Sequence, residues 1–82
     1  MEKISEQEIL KLIQKALELE DHSINLESSA EDFEEWDSLG NLSILVALDE
    51  ALDKKVAPIK EMGEAYSVPK ILQLLKNHSL IL

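Results

Sequence analysis

Few side chains in this sequence can do chemistry. There is no cysteine, so the chain offers no thiol, no disulfide and no thiolate metal site. His22 and His78 stand far apart, without ligand-like spacing to other residues. Asp and Glu number 17, but a general acid or base needs burial or paired charge in a pocket to shift its pKa. Acids strung along a surface do not provide that. Asp37, Ser38 and a histidine are the groups of a catalytic triad, yet nothing in the sequence brings a histidine to the serine or builds an oxyanion hole. The acidic loop lacks the alternating ligands, central glycine and terminal glutamate of an EF-hand. Gly40 and Gly63 are isolated, so there is no phosphate-cradling glycine loop.

Ser38 remains. It lies in "EEWDSLGNLSILVALDE", Glu34 to Glu50, between an acidic run with a tryptophan and a long apolar run. The ordinary role of such a serine is a solvated first-turn hydroxyl beside a helix cap. The position also suits a phosphodiester. A helix N-terminus offers free amides and the positive end of the dipole to a phosphate. The side chain points outward from the start of a rigid element, after a long loop. A flexible arm fixed here reaches many partners, and any reactive thiol has to come from such an arm.

The elements that must position Ser38 are helical. Ser5 and Glu8 form a capping box, and Ile4 and Ile9 occupy the positions of a hydrophobic staple around it. From there Ile9, Leu10, Leu12, Ile13, Ala16, Leu17 and Leu19 share one half of the helical wheel. This predicts a first helix over about Ser5 to Leu19. Residues 20–36 have no sustained period. A loop of that length is usually functional or wrongly assigned; Ile24, Leu26, Phe33 and Trp36 are its candidates for pinning to the core, and "AEDFEEWD" can hold a short turn of helix. A second helix is expected from Asp37 or Ser38 to about Asp53, with Asp37 as N-cap. Its core arc is Ile44, Leu45, Ala47, Leu48, Ala51 and Leu52. The opposite arc carries Ser38, Leu39, Leu42, Ser43, Val46, Asp49, Glu50 and Asp53. An outward face that mixes apolar residues with acids is a candidate partner surface. A short third helix is expected over about Pro58 to Ala65, weakened by Gly63. Ser67 then caps a fourth helix running to about Asn77, with Pro69 in its first turn. The tail "HSLIL" either frays or tucks in. The expected fold is all-α, a small four-helix bundle in one domain over residues 1–82.

Charge narrows the partners. The net charge is −9, which disfavours nucleic acid because phosphate binding needs a basic surface. From Ala16 to Asp53 there are twelve Asp or Glu and no Lys or Arg. Such a stretch solvates the surface, and it also serves as a docking face for basic patches on partner proteins. The polar N-terminus "MEKISEQE" does not read as a signal peptide, and no apolar run approaches a membrane span. A cytoplasmic monomer is the expectation.

At Asp37-Ser38-Leu39 the sequence resembles the acyl carrier proteins, in which an Asp-Ser-Leu triplet opens the second helix and its serine carries 4′-phosphopantetheine. The context widens the resemblance to almost the whole chain. An amphipathic first helix, a long acidic loop, the serine, "LVALDEAL" on the second helix and a short helix before "SVPKILQLL" follow the family's order. The resemblance implies a four-helix carrier without catalytic activity of its own. Ser38 matches the modified serine, and Asp37 the acid that the modifying synthase reads and that helps bind its metal. Leu39, Leu42 and Val46 match apolar partner contacts, and Asp49 and Glu50 match acidic ones. The implied partners are a phosphopantetheinyl transferase and acyl-loading and acyl-using enzymes with basic patches. The departures are Glu35 where fatty-acid carriers have glycine, and Gly40, Asn41 and Ser43 where acids are usual. Trp36 before Asp-Ser-Leu-Gly is more reminiscent of specialised stand-alone carriers of polyketide, peptide or cell-surface pathways. An aminoacyl or peptidyl carrier is the nearest alternative. From another class, the alternative is an unmodified acidic adaptor that binds a basic partner through the second helix.

Overall fold

A computed structural model describes residues 4–19 and 24–81 of the chain. His22 and the segment 20–23 of the long loop lie outside the described residues. Among the described residues three α-helices, α1 (Glu6–Ala16), α2 (Ser38–Ala51) and α3 (Val68–Asn77), carry the fold, with 3₁₀ helices at Ala30–Asp32 and Lys60–Glu64. The protein is all-α, and among the described residues there is no strand. Two isolated bridges, Ile4 with Ile81 and Ser29 with Ser67, tie extended segments together.

Each α-helix starts on the side chain that its sequence advertises. The Ser5 hydroxyl accepts from the Glu8 amide at 3.3 Å, the Asp37 carboxylate from Gly40 at 2.9 Å, and the Ser67 hydroxyl from Lys70 at 3.2 Å. Each satisfies one of the amides that a helix N-terminus leaves without a ladder partner.

The three C-termini share another device. Glu18, Asp53 and Ser79 follow the respective C-caps with φ of 55°, 55° and 58°, the left-handed conformation usually given to glycine. The next residue then bonds back across the turn: Leu19 N–H donates to the Gln14 carbonyl at 3.0 Å, Lys54 to Asp49 at 2.6 Å and Leu80 to Leu75 at 2.9 Å. These are Schellman closures. They explain why α1 stops at Ala16, three residues short of the expected end, although the apolar period runs on. Leu17 is still buried and Leu19 still packs on the core from outside the helix.

The expected helix over Pro58 to Ala65 is instead the 3₁₀ helix Lys60–Glu64. Its cap position, Ile59, provides no side-chain acceptor, and Gly63 lowers α-helix propensity. A five-residue piece closes more readily with i+3 bonds, here Met62 to Ile59 and Ala65 to Met62.

The core is one cluster. Ile9 and Ile13 of α1, Ile44 and Leu48 of α2, Met62, and Ile71 and Leu75 of α3 are fully enclosed. α1 packs against α2, and the 3₁₀ helix Lys60–Glu64 touches both α2 and α3. The acidic loop is anchored: Ile24 and Trp36 are buried and Phe33 packs against the core, while Leu26 is exposed. Ala30 N–H donates to the Tyr66 carbonyl and Val68 N–H to the Ser28 carbonyl, both at 2.8 Å, so the loop is bound to the start of α3. The tail tucks in, with Ile81 buried. No helix among the described residues is long and apolar enough to cross a membrane.

Candidate functional site

Ser38 is the first residue of α2 and is exposed. Asp37 before it has extended backbone and spends one carboxylate oxygen on the Gly40 amide. The first ladder bond of the helix runs from Asn41 N–H to the Asp37 carbonyl at 2.8 Å. The amides of Ser38 and Leu39 therefore precede the ladder, as in any helix start. The serine hydroxyl has solvent in front of it and a rigid helix behind it.

The outward arc of α2 forms with Asp49 as its exception. Leu39, Leu42 and Val46 are 75%, 56% and 52% exposed, large fractions for apolar residues on one helix face. Around them Glu31, Asp32, Glu34, Glu35, Asp37, Glu50 and Asp53 are exposed, with no Lys or Arg between Ala16 and Lys54. A trough of about 690 Å³ runs between α1 and α2, lined by Leu12, Ala16, Leu42, Val46 and Ala47, with Lys15 and Glu50 beside them. Ala51 faces this trough and is exposed, where the wheel put it in the core.

Asp49 and Glu50, adjacent in sequence, separate in role. Glu50 is exposed. Asp49 is half-buried, and its Oδ1 accepts the Val56 amide at 3.1 Å and the Ala57 amide at 2.9 Å. It holds the chain leaving α2. The sequence hint was the polar-then-proline stretch "DKKVAP", whose amides needed an acceptor from somewhere.

Beside Ser38 lies an arrangement that the helical wheel did not reveal. Trp36 is 2% exposed and Asn41 3%. The indole Nε1–H donates to Asn41 Oδ1 at 2.9 Å, and Asn41 Nδ2 donates to the Gly63 carbonyl at 3.4 Å. Gly40 faces the same seam: a Cβ there would sit 2.1 Å from the Glu35 carbonyl oxygen and 2.9 Å from Leu17 Cδ2. Gly40 and Asn41 stand where acids were expected, and both face inward packing that an acid would disrupt. Polar or absent side chains in the first turn of an otherwise apolar helix were the available signal.

His78 is exposed at the C-cap of α3. Among the described residues, no group of three or more His, Asp or Glu could hold a metal ion. Compared with known proteins, the chain matches no family model, no curated protein and no solved structure.

Proposed function

We propose that the protein is an acyl carrier, in the four-helix arrangement of that family, with the 3₁₀ helix Lys60–Glu64 standing for the short third helix. Ser38 receives 4′-phosphopantetheine from coenzyme A. Its hydroxyl oxygen bonds to the phosphorus that bears the pantetheine. The pyrophosphate link breaks, adenosine 3′,5′-bisphosphate leaves, and the serine proton passes to the transferase. The arm then supplies the thiol that the sequence lacks, and holds an acyl group as a thioester for delivery in fatty-acid, polyketide or related lipid synthesis. The carrier has no catalytic activity of its own and works in the cytoplasm.

The observation that carries this reading is the exposed Ser38 hydroxyl at the first residue of a capped helix, directly after Asp37. The surroundings support it. Leu39, Leu42 and Val46 still expose half or more of their surface, and burying the remainder against a partner is worth roughly 1–2 kcal/mol for each. The acids, Glu50 among them, attract basic partner surfaces and raise encounter rates. Leu42, which lines the trough, lies about 6 Å along the helix axis from Ser38, within easy reach of a tethered cargo.

The test is incubation with coenzyme A, magnesium and a broad-range phosphopantetheinyl transferase, read by intact mass and peptide mapping. One phosphopantetheine is expected, on Ser38 alone, and none on Ser38→Ala, which keeps its helical content. Wild-type protein left unmodified by several transferases, its own included, would make the unmodified acidic adaptor the leading reading. An amino acid on the arm of protein from its native cell would indicate an aminoacyl carrier, since that reading differs only in the loading enzyme.

A further inference from the structure

The buried polar pair next to Ser38 takes no part in the chemistry above. Trp36 immediately precedes the N-cap Asp37, and Asn41 is the fourth residue of α2. In a hydrophobic staple these two positions carry apolar residues whose contact sets the angle at which the chain runs into the helix. Here the second position is an amide, and the staple closes through a hydrogen bond between two buried side chains. Apolar contact tolerates sliding and rotation, whereas an N–H···O bond weakens steeply off axis. Asn41 is held at both ends of its amide: the oxygen accepts from the indole and the nitrogen donates to the Gly63 carbonyl. The partners leave one orientation of the group. Gly40 admits the Glu35 carbonyl oxygen against the same turn. Residues 35–36 are thus bound onto α2 on one side of Ser38, and residues 40–41 receive them on the other.

From this geometry we infer that Trp36 and Asn41 are positioning residues for the modification of Ser38: their hydrogen bond fixes how Asp37 and Ser38 are presented to the transferase. The inference rests on the carrier reading and deepens it. The pair lies beneath the surface and leaves the exposed acids and apolar residues untouched. It therefore governs the alignment of the serine oxygen after docking, and not docking itself.

The experiment compares wild type, Trp36→Phe, Asn41→Leu and the double variant in the transferase assay, with circular dichroism and thermal melting in parallel. Each single change leaves a buried polar group without its partner. The double change leaves neither the indole N–H nor the Asn41 oxygen unpaired, and only the carbonyl of Gly63, an exposed residue, loses its donor, which makes it the less disruptive substitution. It converts the polar staple into an ordinary hydrophobic one. The double variant is expected to melt closer to wild type than Asn41→Leu does. Its kcat for modification nevertheless falls about tenfold or more, because small misplacement at a reacting centre is expensive in rate. KM for the carrier stays within about twofold, since docking contacts are intact. Recovery of both stability and kcat in the double variant would reduce the pair to a structural role and overturn the inference. If the double variant does not fold, Trp36→Phe decides: it must show the same fall in kcat at unchanged KM, and wild-type kinetics there overturn the inference equally. Loss of helical signal in both also overturns it, by making the pair a folding element. These outcomes all require that wild type is modified; an unmodified wild type instead sinks the carrier reading itself.

Discussion

Replacing Gly40 with alanine reverses the usual sign of a helix substitution. In an ordinary helix interior, glycine to alanine gains about 1 kcal/mol. At Gly40 the new Cβ lands 2.1 Å from a backbone oxygen, that of Glu35, and 2.9 Å from Leu17 Cδ2. The leucine methyl can swing aside. The carbonyl cannot move without lifting residues 35–36 off the helix, and Trp36 goes with it. Tryptophan buries up to about 250 Å². Re-exposing some 100 Å² of it costs about 2.5 kcal/mol at 25 cal/mol per Å². Losing the bond to Asn41 adds about 1 kcal/mol. After the propensity gain is set against these, Gly40→Ala is destabilised by about 2–3 kcal/mol. For a domain of this size that lowers the melting temperature by roughly 10–20 °C. The assay is thermal and urea unfolding, with Gly63→Ala as the control. Beyond its chain neighbours, no atom lies within 4 Å of a Cβ at Gly63, so the control is expected at or slightly above wild type. A Gly40→Ala protein as stable as wild type would refute the close approach and, with it, the seam that the Trp36–Asn41 pair closes.

The neighbouring acids separate in the same kind of measurement. Asp49→Ala removes the acceptor for the Val56 and Ala57 amides and is expected to cost about 1–3 kcal/mol by urea unfolding. Glu50→Lys changes stability by less than about 0.5 kcal/mol but weakens binding to the transferase at low salt, and the difference shrinks as salt screens the charge. Equal stability loss in both would be inconsistent with the hydrogen bonds of Asp49. Alanine at Leu42 and Val46, both more than half exposed, should reduce coupling to the transferase with little change in melting. A loss approaching the 2–5 kcal/mol typical of a core leucine truncation would move them into the core.

Helix starts were legible because they are written in side chains. Ser5, Asp37 and Ser67 cap where short polar residues precede apolar runs. The outward face of α2 was equally plain, since Leu39, Leu42 and Val46 fall among acids on any helical wheel. Helix ends were less so. They close through backbone bonds, with Glu18, Asp53 and Ser79 where a reader looks for glycine, so the apolar period of α1 ran past its end. The piece around Lys60–Glu64 was placed but misjudged in kind, because the choice between α and 3₁₀ in five residues depends on neighbours such as Asn41. Asn41 itself was read as a missing acid. Its role depends on Trp36 and Gly63, the latter 22 residues further on, and no local pattern encodes that meeting. Asp49 was read as outward because the wheel knows nothing of the loop that folds back onto it.

The three left-handed closures bear on how freely the sequence can change. A residue with a Cβ in that conformation carries a steric cost of order 1–2 kcal/mol, comparable with the effect of a typical point mutation. Asp is among the residues that visit the region more readily, which leaves Glu18 and Ser79 as the less suited of the three. Stability therefore lies unclaimed at helix ends distant in sequence from Ser38, and at Ser79 glycine would relieve strain without removing an acid. A lineage that varies the exposed apolar and acidic residues of α2, and loses stability in doing so, has a place from which to recover it. The latitude to vary Leu39, Leu42, Val46 and Glu50 is set partly by the backbone at the helix ends.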